Sequence, residues 1–343
     1  MKKVVVNGRF FLHRITGVER YAREILAELD KIVDPGQIEI AVPIDAKGIP
    51  KYNNIEVVKV GILHNRIWEH ISFPIYIKKR KAISLNLCNV APLSNPGIVC
   101  IHDMKIKAHP EYFSFKFILW YKILFFNEIK RAKKIITVSE FSKREIIKYY
   151  HVSPNKIVVI PNSWQHYEKI GFDKKALRKY NLHSGQFYFA MGSMDPNKNF
   201  RWIAEMAQKI PTEIFAIAGA INKQVFSEKM GFICPPNVKL LGFISDEEAK
   251  TLMKECKAFL FPSFYEGFGI PPLEAISAGC KRIVVSDTDV MHEIFGNSVE
   301  YIGNERKIKI ISADERKTIL EKYEWKSSAK LLYKLLEEEK NLD

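Results

Sequence analysis

Two glutamates flank a short glycine loop in the second half of the chain. Glu266 precedes the loop and Glu274 follows eight residues later, with Gly267 and Gly269 between them. The loop comes directly after an apolar run, 259–261, which is short enough to be a buried parallel strand. A strand that leads through a glycine loop to the start of a helix presents backbone N–H groups to an anion. The spacing therefore predicts an anion site bordered by two carboxylates.

The residues after the loop predict a short helix. Pro271 and Pro272 suit its first turn, where a missing N–H costs little, and Gly279 suits its end. For Glu274 alone, a favourable position near the helix dipole is a simpler explanation than function. The two glycines and two prolines together indicate a specialised backbone, which favours a binding role.

A second candidate pair, His102 and Asp103, follows the predicted strand 98–101. Functional side chains of α/β proteins collect where strands end. A lone histidine at such a place is more often a satisfied core residue, so its role depends on the rest of the chain.

The elements that would hold these residues form two series of alternating strands and helices. The predicted strands are 4–6, 38–42, 55–58, 98–101, 134–138 and 157–160 in the first series, and 187–191, 215–218, 238–241, 259–261 and 283–285 in the second. Helical periodicity follows at 18–29, 113–131 and 139–150, and again from Trp325. This alternation predicts a doubly wound parallel sheet in each half, and the polar segment 162–184 predicts the boundary.

The composition limits the class of protein. With 343 residues, 47% hydrophobic and 27% charged, the chain fits two soluble globular domains. Its net charge of +14 predicts an anionic partner, either a nucleic acid, a phosphorylated metabolite or a membrane surface; solubility alone is the plain alternative. Five scattered cysteines predict reduced thiols in a cytosolic protein. The N-terminus predicts a strand rather than a signal peptide, and no apolar run is long enough to span a membrane.

Several blocks, taken in order, resemble the retaining glycosyltransferase family 4, also described as glycosyl transferases group 1. They are the E-x7-E run 266–274, the glycine loop 16–21, the block 101–103, the block 137–142, the loop 192–199, and Trp325 with Ala329. The resemblance covers nearly the whole chain. It implies an α/β protein of the GT-B fold: two Rossmann-like, doubly wound parallel-sheet domains that face a cleft, with a C-terminal helix returning to the N-terminal domain. The implied domains are 1–165 on the acceptor side, 166–325 for the nucleotide-sugar, and 326–343 for the returning helix.

The resemblance implies how a nucleotide-sugar donor is held. Glu274 takes the ribose hydroxyls and Glu266 faces the transferred sugar, while Lys198 gives a positive charge to the diphosphate. Ser193 stands where the family often has an arginine, so one phosphate contact is weaker or supplied elsewhere. On local grounds alone, Lys198 would be a solvated surface residue. The other implied donor contacts are Gly17, Gly267, Phe268, Gly269 and Ile270 near the phosphates, and Phe243 and Ile244 at the base.

The resemblance also implies the chemistry. His102, Asp103 and Glu266 are the implied catalytic residues, with His102 contacting the donor sugar or the acceptor hydroxyl. The leaving phosphate stays beside the sugar and helps to deprotonate the acceptor on the same face, so catalysis rests on positioning and charge stabilisation. No metal and no cofactor is expected, because the sequence lacks a metal-ligand cluster and positive groups can replace a metal.

The implied donor is a GDP- or UDP-linked hexose or deoxyhexose, with mannose-like or rhamnose-like sugars favoured. The implied acceptor is a lipid-linked glycan or a polysaccharide, as in lipopolysaccharide synthesis in the cytoplasm. The stretch 113–134 is apolar, aromatic and basic, and 78–81 adds a basic patch. A core helix with snorkelling lysines and contact with an anionic membrane are both open; the pattern predicts peripheral attachment to the inner face of the plasma membrane.

Two other functions remain open. A basic nucleic-acid-binding protein would explain the net charge, but the basic residues are dispersed and no nucleic-acid motif is present, so nucleic acid is not an expected partner. A nucleotide-sugar epimerase of the GT-B fold would share the donor site and would form product without an acceptor.

Overall fold

The computed structural model describes residues 2–193, 195–219, 234–303 and 308–341, and the chain divides into two compact units. The first unit comprises Met1–Ser163 and Glu324–Asp343, and the second comprises Trp164–Tyr323. Met194, in the predicted loop 192–199, lies outside the described residues.

The first unit is built on a parallel sheet. In its described part the strand order is β3-β2-β1-β4-β5-β6-β7, so the chain winds outwards in both directions from β1 and β4. The strands are β1 Val4–Asn7, β2 Ile38–Val42, β3 Glu56–Lys59, β4 Ile83–Asn86, β5 Ile98–Cys100, β6 Lys134–Thr137 and β7 Ile157–Val159. The helices between them are α1 Gly17–Leu29, α2 Asn65–Ile67, α3 Phe73–Arg80, α4 Lys105–Ala108, α5 Phe115–Arg131 and α6 Glu140–Tyr150.

Strand β4 was missed by the sequence analysis, although it lies beside β1 near the centre of the sheet. Its sequence alternates apolar residues with Ser84 and Asn86, which look like surface positions but are fully buried. The Asn86 amide donates to the carbonyl of Pro96 at 2.8 Å, and the Ser84 hydroxyl donates to that of Asn95 at 3.1 Å. These bonds offset the burial of polar groups, and no local pattern reveals them.

The second unit also contains a parallel sheet. In its described part the strand order is β10-β9-β8-β11-β12-β13. The strands are β8 Phe187–Met191, β9 Ile214–Ala218, β10 Val238–Gly242, β11 Ala258–Phe261, β12 Ile283–Val285 and β13 Glu300–Tyr301. The helices are α7 Ala176–Lys179, α8 Phe200–Lys209, α9 Asp246–Glu255, α10 Ile270–Ala278, α11 Asp289–Phe295 and α12 Ala313–Lys322. Each unit is thus an α/β unit with a parallel sheet, which confirms the predicted fold class.

The last helix, α13 Trp325–Asn341, belongs to the first unit, as the resemblance implied. The ring of Trp325 meets Tyr21 of α1 edge to face at 5.8 Å between centroids. The Ser328 hydroxyl donates to the carbonyl of Pro161 at 2.8 Å. The apolar residues that helical periodicity from Trp325 places on one face of this helix are buried: Trp325, Ala329, Leu332, Leu335 and Leu336.

Candidate active site

The glycine loop of the second unit follows β11 and ends at α10. Gly279 ends α10 with a φ of +99°, as the sequence predicts. The helix begins at Ile270, so Pro271 and Pro272 are its second and third residues and supply no N–H. An anion at this helix start would therefore depend on the N–H groups of Ile270 and of the preceding loop.

Gly269 holds a backbone conformation that other residues rarely adopt. Its φ is +100°, and a Cβ built on it would lie 2.7 Å from Cε of Met291. The preceding Phe268 is buried and packs edge to face on Tyr323 at 5.1 Å between ring centroids. The side chain of Phe268 thus anchors the loop from inside, and a ligand could reach this residue through its backbone.

The predicted residues Lys198 and Glu266 form an ion pair. Lys198 Nζ lies 2.5 Å from Glu266 Oε1, and each side chain is 19% exposed. The ammonium also lies 5.2 Å from the ring centroid of Phe261, which is the last residue of β11. The structure therefore brings one cation and one carboxylate to the start of the glycine loop.

Asn197, which the sequence analysis did not select, joins the two loops that carry this pair. Its side-chain amide donates to the carbonyl of Tyr265 at 2.7 Å, and its own carbonyl accepts from the N–H of Phe264 at 2.9 Å. Asp195 caps the short helical turn Pro196–Lys198 by accepting from the N–H of Asn197. Asn197 is buried, so it fixes the lysine loop against the loop of Glu266.

The sequence predicted Glu274 to lie near the start of α10, in its first turn, which is wrong. Glu274 is the fifth residue of the helix and lies just beyond that turn. Its Oε1 accepts a hydrogen bond from His166 Nε2 at 2.7 Å, and both side chains are buried. His166 was not selected by the sequence analysis, and it lies 108 residues from Glu274 in the sequence. Only the tertiary structure brings the two together.

The remaining predicted donor residues follow other strands of the same sheet. Ser193 is exposed just after β8, and Phe243 is 63% exposed just after β10, with Ile244 half-buried beside it. The ends of both strands are bonded to the end of β9, which lies between them. Gly192 after β8 donates its N–H to the carbonyl of Ala218 at 3.0 Å, and Gly219 after β9 donates to the carbonyl of Gly242 at 2.8 Å. An exposed aromatic ring at this edge is suited to stacking on a flat ligand.

In the first unit, His102 follows β5 and is buried. Its Nε2 lies 2.9 Å from the carbonyl of Leu87, and because a carbonyl only accepts, Nε2 carries the proton and Nδ1 is the acceptor. Burial lowers the pKa of His102, and the Leu87 hydrogen bond and nearby Asp103 oppose that effect only in part. The imidazole is therefore neutral near pH 7. Asp103 accepts from the N–H of Lys105 at 2.8 Å and so stabilises the start of α4.

Gly17 is the exposed first residue of α1, directly after the N-cap Thr16. Glu19 accepts from the N–H of Thr16 at 3.1 Å, as the capping-box spacing indicates. Burial raises the pKa of Glu19, but hydrogen bonds from His13 and Thr16 outweigh it and leave that pKa below its usual value. An ionised carboxylate, that of Glu19, therefore lies in the first turn of α1, two residues after Gly17.

The chain matches two family models. The model "Glycosyltransferase Family 4" matches residues 15–163, and "Glycosyl transferases group 1" matches residues 173–343. Together they leave only the first residues and a short segment after the unit boundary unmatched. The chain is a glycosyltransferase of family 4.

One similar relative of this glycosyltransferase is the O-antigen chain mannosyltransferase RfbU of Salmonella typhimurium. The two are 26% identical over 306 residues, which covers 84% of this chain and 83% of that protein. Two solved structures are similar in fold. A sucrose-phosphate synthase from Thermosynechococcus elongatus has a TM-score of 0.73 and 12% identity, and the match covers 98% of this chain and 99% of that one. Anabaena HepE in complex with UDP and glucose has a TM-score of 0.69 and 16% identity, and the match covers 98% of this chain and 100% of that one. They show that the GT-B fold is present.

Among the described residues of this glycosyltransferase, no helix combines the length and the apolarity needed to cross a bilayer. Within the same residues, no three His, Cys, Asp or Glu side chains are grouped so that they could hold a metal ion. That the reaction needs no metal stays a prediction.

We expect Gly269→Ala to destabilise the second unit by about 1–3 kcal/mol, because alanine must adopt a positive φ and its Cβ meets Met291. Urea unfolding followed by circular dichroism measures this loss. Gly171→Ala is the matched control, since a Cβ there meets open space. In a Met291→Ala background the contact is absent but the backbone strain remains, so Gly269→Ala should still lower the stability there. No loss of stability in that background would contradict the assigned conformation.

We expect acid to destabilise the first unit through His102. Its folded pKa is lowered, so below the ordinary histidine pKa of about 6.5 the unfolded state binds a proton that the folded state excludes. The free energy of unfolding should fall between pH 7 and pH 5.5, and less steeply in His102→Gln. The exposed His183→Gln should keep the wild-type slope. Equal slopes in wild type and His102→Gln would show that His102 is not held neutral.

Proposed function

We propose that this glycosyltransferase moves a hexose or deoxyhexose, mannose-like or rhamnose-like, from a nucleotide-sugar to a sugar hydroxyl of a lipid-linked or polysaccharide acceptor, with retention of configuration. The observation that carries the proposal is the Lys198–Glu266 pair at the start of the glycine loop. The similarity to an O-antigen mannosyltransferase supports the sugar and the acceptor class. The UDP complex of HepE supports a nucleoside diphosphate donor, GDP- or UDP-linked.

The second unit would hold the nucleotide by three kinds of contact. Lys198 and the N–H groups of Gly269 and Ile270 provide positive charge for the diphosphate. Glu274 offers a buried, hydrogen-bonded carboxylate to the ribose hydroxyls. The exposed ring of Phe243 offers a stacking face to the base.

The chemistry would consist of charge stabilisation at the leaving group. As the bond to the sugar breaks, negative charge grows on the diphosphate, and Lys198 stabilises it without a metal ion. The departing phosphate oxygen takes the proton of the acceptor hydroxyl on the same face, which gives retention. In the second unit Glu266 would contact the transferred sugar. In the first unit Nδ1 of the neutral His102 ring would accept from a hydroxyl of the donor sugar or of the acceptor. In the absence of an acceptor, this scheme predicts no epimerised product.

The first unit presents an apolar and basic surface formed by two helices, here called the two-helix surface. The first of these is the continuous helix made of α2, the π-helical segment Trp68–Ser72 and α3, and it exposes Ile67, Ile71 and Ile75. The second is α5, which exposes Phe115, Leu119, Ile123 and Phe126. His70 and Trp120 join the two helices at 5.6 Å between ring centroids. The opposite side of α5 is buried through Leu124, Phe125 and Ile129. The core-helix interpretation therefore explains only one face of α5.

Basic side chains lie three or four residues from these exposed apolar positions, on the same helix faces: Lys78, Lys79, Lys122 and Lys130. Apolar side chains surrounded by lysines match the interface of an anionic bilayer. We therefore propose that the enzyme attaches peripherally to the inner face of the plasma membrane, where a lipid-linked acceptor would be found.

We expect Glu266→Gln and Lys198→Met to act in opposite directions on nucleoside diphosphate binding. Glu266→Gln should lower turnover by about 10²-fold, yet bind GDP or UDP about threefold more tightly, because Lys198 loses its competing carboxylate. Lys198→Met should weaken binding about tenfold or more. Isothermal titration without metal, over a panel of nucleotides and nucleotide-sugars, measures both, and wild-type binding to none of them would overturn the proposed function.

A second ion pair in the same unit provides a matched control. Lys257 Nζ lies 2.5 Å from Glu213 Oε1 and 5.3 Å from the ring centroid of Tyr188, which repeats the environment of Lys198. Glu213→Gln should leave nucleotide affinity unchanged. Weaker binding by Glu266→Gln would contradict the proposed competition for Lys198.

We expect the protein to float with vesicles that contain phosphatidylglycerol and not with pure phosphatidylcholine. High salt should weaken the attachment, because lysines contribute to it. Ile71→Ser with Phe115→Ser should abolish flotation, whereas Leu331→Ser, at an exposed position of α13, should not. Flotation that is indifferent to anionic lipid would refute the two-helix surface as the site of attachment.

A further inference from the structure

The hydrogen bond between His166 and Glu274 joins the first turn of the second unit to the helix after the glycine loop. His166 lies in the helical turn Gln165–Tyr167, directly after the boundary at Ser163. Its Nε2 donates to Glu274 Oε1 at 2.7 Å, and the two side chains are 3% and 6% exposed. A contact this short and this dry fixes the orientation of the carboxylate.

The turn that carries His166 is itself held on both sides. The Trp164 indole donates to the carbonyl of Leu320 at 2.9 Å, and the Gln165 amide donates to that of Tyr323 at 3.0 Å. The carbonyl of Tyr167 accepts from Lys250 Nζ at 2.6 Å. These bonds anchor the backbone around His166, so the imidazole is presented to Glu274 from a rigid frame.

The use of Oε1 by His166 decides which oxygen of Glu274 serves a ligand. A carboxylate can accept through both oxygens, and a carboxylate free to rotate would lose orientational entropy each time it bound a ligand. With Oε1 held by His166, Oε2 is the oxygen that can accept from a hydroxyl group. The arrangement therefore pre-organises one carboxylate oxygen of Glu274 to accept from a ligand hydroxyl.

We propose that His166 is a positioning residue that orients Glu274 for the ribose hydroxyls of the nucleotide. This inference rests on the proposed function, in which Glu274 contacts the ribose. A merely structural pair would stabilise α10 and leave ribose recognition unchanged, whereas a positioning residue controls how strongly the protein distinguishes ribose from dideoxyribose.

The test is isothermal titration of GDP and UDP, and of the 2′,3′-dideoxy form of whichever binds more tightly. Wild type should prefer the ribose form by about 10- to 100-fold, the value of a charge-assisted hydrogen bond. His166→Leu should bind the ribose form more weakly by a similar factor and show almost no preference, as should Glu274→Gln. His166→Gln, which keeps an N–H donor of similar reach, should retain most of the preference. The exposed His183→Leu is the control and should behave as wild type.

The double variant His166→Leu with Glu274→Gln should be no worse than Glu274→Gln alone, because the histidine acts through the glutamate. If His166→Leu does not fold, His166→Asn takes its place, since its side chain is polar but too short to reach Glu274. A wild-type protein that binds neither nucleotide would overturn the proposed function. A wild type that prefers ribose, with His166→Leu preferring it equally, would overturn the role of His166 alone.

Discussion

The ion pair between Lys198 and Glu266 is the contact on which the candidate donor site depends. The lysine loop follows β8 and the glutamate precedes the glycine loop after β11, and these strands are parallel neighbours. Parallel pairing brings both loops to the same edge of the sheet, and the bond from Asn197 to Tyr265 fixes them to each other. Together with the bond from the N–H of Phe264 to the carbonyl of Asn197, it keeps the two charged side chains on loops that are tied to each other.

A pair that is partly exposed contributes little net stability, because the cost of removing water offsets much of the attraction. The effect of the pair on ligand binding is larger, because a ligand has to compete with Glu266 for Lys198. Glu266 neutralises Lys198, so an anion binds only if it attracts the ammonium more strongly than the carboxylate does. In the proposed complex a diphosphate would also accept from the N–H groups at Gly269 and Ile270, whereas a monovalent anion would satisfy fewer of these donors. The pair therefore favours the ligand that engages both the lysine and the loop.

Local sequence was sufficient to predict the elements that are determined by residues close together in the chain. The glycine loop, the end of α10 at Gly279, the buried face of α13 and the two parallel sheets all follow from spacing and periodicity. Strand β4, Asn197 and His166 were missed for one shared reason. In each, a buried polar side chain is hydrogen-bonded to a partner distant in sequence, which for Asn86 of β4 is Asn7. Single-sequence patterns count such polar residues as surface.

The two glutamates of the E-x7-E run, eight residues apart, differ in burial and in hydrogen-bond partner. Glu266 lies before the helix, is partly exposed and is paired with Lys198, for which an anionic ligand would compete. Glu274 stands inside the helix, buried, with an imidazole held by an anchored turn. Because Pro271 and Pro272 supply no N–H groups to the first turn, an anion bound here would depend on the loop amides and on the N–H of Ile270. Gly269 in that loop has a positive φ and leaves no room for a Cβ beside Met291, so its backbone conformation and its surroundings both favour glycine.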